Sequence, residues 1–219
     1  GLQRNLLKLE RMMADKFKET DEKILMIARR LFSQSGIMNI EMKDICRELG
    51  CSRSTLYRHF SSKEAILFRL TGESVDKVMD AAIIPPRMKF ENGYKALSWQ
   101  LRAQVAFMLN NVDEITFMRD FDFFYTRLIP DTEEKTAFER ELVSTRGRTE
   151  MLESILTGIK DGSIRRQENP ELTLYTLINS CIALAQRILP REGIFKKELK
   201  YGREMIEMQV ELLLDSLST

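Results

Sequence analysis

The sequence predicts an all-α protein in which an N-terminal three-helix domain precedes a larger helical body. Three observations carry that expectation. Of the 219 residues, 43% are apolar and 31% charged, enough both to fill a core and to solvate a surface. Only ten glycines and five prolines punctuate the chain, too few turn formers for an all-β fold. Apolar residues recur at steps of three and four, with no internal repeat and no alternation long enough to read as a strand.

Ile24, Ile27, Ala28, Leu31 and Phe32 fall at i, i+3, i+4, i+7 and i+8, one stripe of an amphipathic helix over 21–35. Thr20 is placed to cap it, Asp21 and Glu22 suit its first turn, and Gly36 ends it. A shorter pattern, Met42, Ile45, Cys46 and Leu49, stops at Gly50. Ser52 then caps a helix with Leu56 and Phe60 turned inward and Tyr57 beside them, leaving Gly50-Cys51-Ser52 as the connection. Two short helices joined by about three residues with a glycine make a helix-turn-helix. Ser61 and Glu64 have capping-box spacing and open a fourth helix running toward Ile84, where Pro85-Pro86 stops it.

Further helices are expected near 91–111 and 113–129, the second ended by Pro130. Asp131 and Glu134 form another capping-type pair, opening a long segment to about Asp161. Asn169 caps a helix with Pro170 at its first position, where a missing N–H costs nothing, and Pro190 closes it. Ile206, Val210, Leu213, Leu214 and Leu217 mark the last helix.

Several functions are excluded by inventory. Cys46, Cys51 and Cys181, with His59 as the single histidine, lack the paired spacing of a zinc site and read as reduced structural thiols. One histidine leaves little room for hydrolytic triads, and no glycine-rich loop exists to cradle a phosphate, so no enzyme, metal or cofactor is expected. The longest uncharged stretch, Leu172 to Gln186, is short of the ~18 apolar residues of a membrane span, and no secretory signal is visible; a cytoplasmic protein is expected. The net charge of +1 divides unevenly: residues 1–70 carry 14 Lys/Arg against 9 Asp/Glu, the rest 20 against 24. A basic end on an acidic body suits contact with a polyanion.

The stretch Ala28-x-x-Leu31-Phe32-x-x-x-Gly36, followed by Ile45-Cys46-x-x-Leu49-Gly50-Cys51-Ser52-x-x-Thr55-Leu56-Tyr57-x-His59-Phe60-x-x-Lys63-Glu64, resembles the DNA-binding domain of the TetR family of bacterial transcriptional regulators. About a dozen positions agree, across residues 20–68. Residues 69–219 resemble the family more loosely, through helical content and Gly158-x-x-x-Gly162-x-Ile164 before a proline-initiated helix. The resemblance implies phosphate contacts at Tyr57, His59 and Lys63. The residues themselves point the same way: Ser52, Arg53, Ser54 and Thr55 open the second helix of the motif, the end that meets base edges in the major groove. Arg53 can reach guanine N7 and O6, and the fourth helix aims free N–H groups at a phosphate. Two positions depart from the family pattern. Ile40 and Glu41 stand where a Thr or Ser usually opens the preceding helix, with Asn39 as an alternative cap, and Ser54 stands where Gly is common. Residues 1–19, with Arg4, Lys8, Arg11, Lys16 and Lys18, read as an arm reaching into a groove or a frayed terminus.

In the resembled family the body, residues 69–219 here, holds an effector pocket, and its last two helices pair with a second subunit. Trp99, Phe107, Phe117, Phe121, Phe124, Tyr125 and Tyr175 are the candidate pocket residues, which points to a lipophilic or aromatic small molecule. Arg102 and Arg119 are candidates for an acidic head group or for surface ion pairs. The expectation is a homodimeric repressor released from a palindromic double-stranded operator by that effector; the alternative is an effector-independent architectural or division-regulating protein on the same fold.

Overall fold

The computed structural model describes residues 2–128, 131–143 and 145–219, without the side chains of residues 2–6, 9, 127, 128 and 143. Pro130 and the side chain of Arg4 therefore lie outside the described residues. Eleven α-helices follow in chain order, with no strand among the described residues beyond a single antiparallel bridge between Ile164 and Ser218. The chain divides into two compact units, one of residues 1–71 and 120–135, the other of residues 72–119 and 136–219.

The first unit begins with α1, Leu2–Ser35, a single helix of 34 residues. The expected start at Thr20 is corrected: its hydroxyl donates to the Lys16 carbonyl at 3.0 Å, inside the helix. No glycine or proline interrupts residues 2–35, and Leu, Met, Lys, Glu and Arg fill them, so propensity carries the helix through a residue that could have capped it. Residues 1–19 are thus helix rather than a frayed arm from Leu2 onward. α2, Met42–Leu49, is capped by Glu41, not Asn39; Glu41 accepts from the Asp44 N–H while Asp44 accepts from the Glu41 N–H. Gly50 ends α2 with φ +69, a left-handed turn that lets Cys51 N–H return to the Cys46 carbonyl at 3.2 Å.

α3, Arg53–His59, and α4, Lys63–Asp80, complete the motif. The cap of α4 is Ser62, which accepts from the Ala65 N–H at 3.1 Å; Ser61 instead donates to Glu134 at 3.0 Å. Ile24, Ala28, Phe32, Ile45, Leu56 and Ile66 fill the core between these helices. At about 1.5–3 kcal/mol for each side chain taken fully out of water, this packing dominates the stability of the unit.

The second unit is organised by α5, Gly93–Asn110, and α8, Arg146–Asp161. A Cβ on Gly93 would lie 2.1 Å from the Gly158 backbone nitrogen, so the two helices touch backbone to backbone there. α6, Val112–Leu128, follows α5 closely. The long helix expected over 131–161 is two: α7, Glu133–Val143, opened by Thr132 rather than Asp131, and α8, opened by Thr145. Asn169 and Pro170 open α9, Pro170–Ile188, as the spacing predicts, with the Leu172 N–H donating to Asn169 at 3.0 Å. Pro190 does not end the helical run; a 3-10 turn over Leu189–Arg191 leads into α10, Glu192–Leu199, which the sequence reading lacked. α11, Arg203–Leu217, packs against α5 and α9. Leu97, Leu101, Met151, Ile155, Ile178 and Leu214 are among its core residues.

Candidate nucleic-acid interface

Helix α3 is short, and its start is defined by hydroxyls. Ser52 accepts from the Thr55 N–H at 3.1 Å, and its oxygen lies 2.9 Å from the Ser54 hydroxyl and 2.8 Å from that of Thr55. The cluster fixes where the helix starts and therefore where Arg53 leaves it. Leu56 is fully buried and anchors the inner face. The outer face presents Arg53, Ser54, Tyr57 and Arg58 to solvent, with Tyr57 50% exposed and Thr55 half-buried.

Arg53, Tyr57 and Lys63 come together around a hollow of about 420 Å³ that Ser61, Ser62 and Glu41 also line. The starts of α2 and α4 and the outer face of α3 meet in it. Two cationic groups, a phenol, the Ser62 hydroxyl and the free N–H groups at the start of α4 can turn toward one anion, while the Ser61 hydroxyl is held by Glu134. Glu41 works against an anion, but its carboxylate is engaged by Lys43 at 2.6 Å, which in turn holds the Lys43 ammonium above its usual range. Lys63 sits with its ammonium 5.1 Å from the centre of the Phe124 ring. Burial there pushes its pKa down, with Glu64 and Glu41 opposing.

His59 is placed differently from the phosphate contact that the family pattern implies. Its side chain is 2% exposed, Nδ1 lies 2.6 Å from Asp21 Oδ1, and the ring stacks on Phe17 at 4.0 Å. It ties the end of α3 to α1 and is turned away from solvent. Phe17 lies within residues 1–19, expected as an arm or a frayed terminus, and a contact so far along the chain leaves no local pattern. Lys43, Ser61, Ser62 and Phe124 are likewise additions; only the capping-box spacing at Ser61 hinted at two of them.

The seven aromatic candidates are divided between the two units. Phe121, Phe124 and Tyr125 belong to the first unit, where Phe121 meets Phe68 edge-on at 6.3 Å and Lys135 lies over Tyr125. Trp99, Phe107, Phe117 and Tyr175 belong to the second, Trp99 packing on Phe90 at 6.0 Å. Arg102 forms a two-pronged pair with Glu211, at 3.0 and 2.8 Å, so it serves as an ion-pair residue.

Residues 24–70 match the family model of bacterial regulatory proteins, tetR family. Over these residues the chain is similar to the helix-turn-helix domain of that family. An HTH-type transcriptional regulator of Staphylococcus aureus (strain USA300) is 25% identical over 142 residues, covering 58% of this chain and 76% of that protein. Among solved structures, a tetR-family regulatory protein from Rhodococcus RHA1 superposes with a TM-score of 0.65 at 19% identity, over 90% of this chain and 96% of that one. The ketosteroid transcriptional regulator KstR2 of Mycobacterium tuberculosis gives 0.57 at 14% identity, over 91% and 95%. These structural likenesses concern the fold. The matched segment holds the helix-turn-helix, α2 and α3.

Proposed function

We propose that the protein is a homodimeric repressor that binds a palindromic operator and releases it when a lipophilic small molecule is bound. The observation that carries the DNA half is α3, with Leu56 in the core and Arg53, Ser54 and Tyr57 exposed at its outer face. A helix so presented enters the major groove with its first residues on base edges, while Lys63 and the start of α4 meet a phosphate. Ser52 and Thr55 shape the helix start, and His59 acts by holding α3 to α1.

One helix-turn-helix covers little DNA, so useful affinity requires a second half-site and a second copy. Leu172 and Tyr175 on α9 and Met208 and Leu212 on α11 are exposed apolar residues of the second unit, and a hollow of about 390 Å³ lies along α11 between Tyr201, Met205 and Leu212. A second copy of this chain is the proposed occupant, laid against the last two helices. The interior of the same unit supports the effector. Gln100 and Gln104 on α5 are fully buried, and both amide atoms of Gln100 and the oxygen of Gln104 lack a hydrogen-bond partner. Buried polar atoms left open cost about 1–3 kcal/mol each, a cost that a ligand with a polar group and an apolar body would remove. Trp99, Phe107 and Phe117 are the aromatic residues of this unit proposed to join that site.

Release needs differential affinity: a hundredfold loss of operator binding requires the ligand to favour the non-binding state by about 2.7 kcal/mol. The decisive experiment selects an operator from random duplexes, then screens lipophilic compounds for thermal stabilisation and for release of that duplex. Stabilisation and release by the same compound support this reading. Operator binding that no compound alters would favour the effector-independent alternative.

A further inference from the structure

The turn of the helix-turn-helix holds two thiols side by side. Cys46 Sγ and Cys51 Sγ are 3.7 Å apart, and the Cys46 thiol donates to the Cys51 carbonyl at 2.8 Å. Their placement follows from the backbone. Gly50 turns left-handed at the end of α2, and the Cys51 N–H closes on the Cys46 carbonyl, which sets the two side chains against each other. At this kind of helix end the facing pair is commonly an apolar contact. Here it is a dithiol. Both cysteines are free, Cys46 buried and Cys51 partly exposed.

We propose that Cys46 and Cys51 are a reversible oxidation site for low-molecular-weight disulfides, and that closing the bond weakens DNA binding. The Cys51 thiolate attacks one sulfur of the reagent RSSR, forming a mixed disulfide and expelling RS⁻. The Cys46 thiolate then attacks the Cys51 sulfur and expels the second RS⁻. Two cysteine thiols lose two protons and two electrons in all, and RSSR becomes two RSH. Burial and the neighbouring Cys46 push the Cys51 thiol up, which lowers its thiolate fraction and slows its attack on the reagent.

Closure must bring the sulfurs from 3.7 Å to about 2.05 Å. The movement falls on the turn, and Ser52, joined to Cys51 by one peptide bond, is the residue that caps α3 and sets the exit of Arg53. Cys181 provides an internal contrast: it is buried in the other unit, its thiol pushed up to about 12 by that burial, and it should stay inert.

The effect on DNA rests on the DNA-binding reading above, whereas the thiol chemistry does not. Reduced protein is treated with glutathione disulfide, then followed by intact mass, thiol count and peptide mapping. The expected product has lost two hydrogens, carries no glutathione and links Cys46 to Cys51. Its affinity for a mixed-sequence duplex at low salt should fall about tenfold, through misplaced phosphate contacts at α3 and α4, and return on reduction. Cys51→Ser, which lacks the attacking thiol, should keep its affinity after the same treatment, and Cys46→Ser should stop at the glutathione adduct on Cys51. In the unsubstituted protein, a stable glutathione adduct, or untouched thiols, would overturn the site. A closed disulfide with unchanged affinity would overturn the switch. Failure of the reduced protein to bind any duplex would overturn the DNA reading and the switch together, while the mass readout judges the disulfide separately.

Discussion

His59 Nδ1 lies 2.6 Å from Asp21 Oδ1, joining the last residue of the recognition helix to the first helix of the chain. The ring is withdrawn from solvent and covered by Phe17, so the pair holds α3 against α1.

Removing either partner leaves the other without its hydrogen bond. Asp21→Ala and His59→Ala are each expected to destabilise the protein by about 1–3 kcal/mol, and the double variant by little more than the worse single one. Urea unfolding of the four proteins measures this. Strictly additive losses would mean that the two side chains do not act as a pair.

The outer face of α3 and the start of α4 should separate by salt dependence. Lys63→Ala is expected to weaken specific and non-specific duplexes alike and to lower the slope of log affinity against log salt by about one per half-site. Tyr57→Phe should weaken both without changing that slope. Arg53→Ala should cost roughly 1–3 kcal/mol per half-site and relax sequence preference. Fluorescence anisotropy across a salt series resolves all three. An unchanged slope for Lys63→Ala would remove its ammonium from the phosphate contacts.

The helix-turn-helix was legible because its signals are local. Ser52, Gly50, Leu56 and the stripe from Ile24 to Phe32 encode cap, turn and core within a few residues of each other. What could not be read depends on partners far along the chain. His59 meets Asp21 across 38 residues, Ser61 meets Glu134 across 73, and Phe124 comes to lie beneath Lys63. Thr20 misled for the opposite reason: a residue that suits a cap also fits mid-helix when its neighbours favour helix on both sides. Within the aromatic run from Phe117 to Tyr125, Phe121 and Tyr125 do meet, at 5.4 Å, while the contact of Phe121 with Phe68 joins residues far apart in the chain that density alone does not name.

The Gly93–Gly158 contact makes a stability prediction that no sequence pattern contains. A methyl group at Gly93 would fall 2.1 Å from the Gly158 nitrogen and 2.5 Å from the Ser154 carbonyl oxygen, and backbone cannot yield as a side chain does. Gly93→Ala is therefore expected to force α5 and α8 apart and to cost more than the ~1–3 kcal/mol typical of overpacking, despite the better helix propensity of alanine. Thermal unfolding measures the loss. A melting point unchanged or raised would mean that the two helices are not in backbone contact in solution.

The dimer reading makes its sharpest prediction through neighbouring residues of α11. Met208 and Leu212 are 58% and 63% exposed, whereas Leu214 is fully buried and Leu217 nearly so. Charges at the buried positions would unfold the second unit whatever its oligomeric state, so they test folding alone. Met208→Asp with Leu212→Asp places two carboxylates on the exposed face, where a folded monomer tolerates them in water. If α11 pairs with a second copy, those carboxylates would be taken out of water opposite apolar side chains, a cost that turns dimer into monomer. Sedimentation velocity should then show a dimer for the parent chain and a folded monomer for the double variant, with helical content unchanged by circular dichroism and operator affinity greatly reduced. A variant that stays dimeric would place the interface away from this face of α11, and a parent chain that is monomeric at all accessible concentrations would remove the dimer itself.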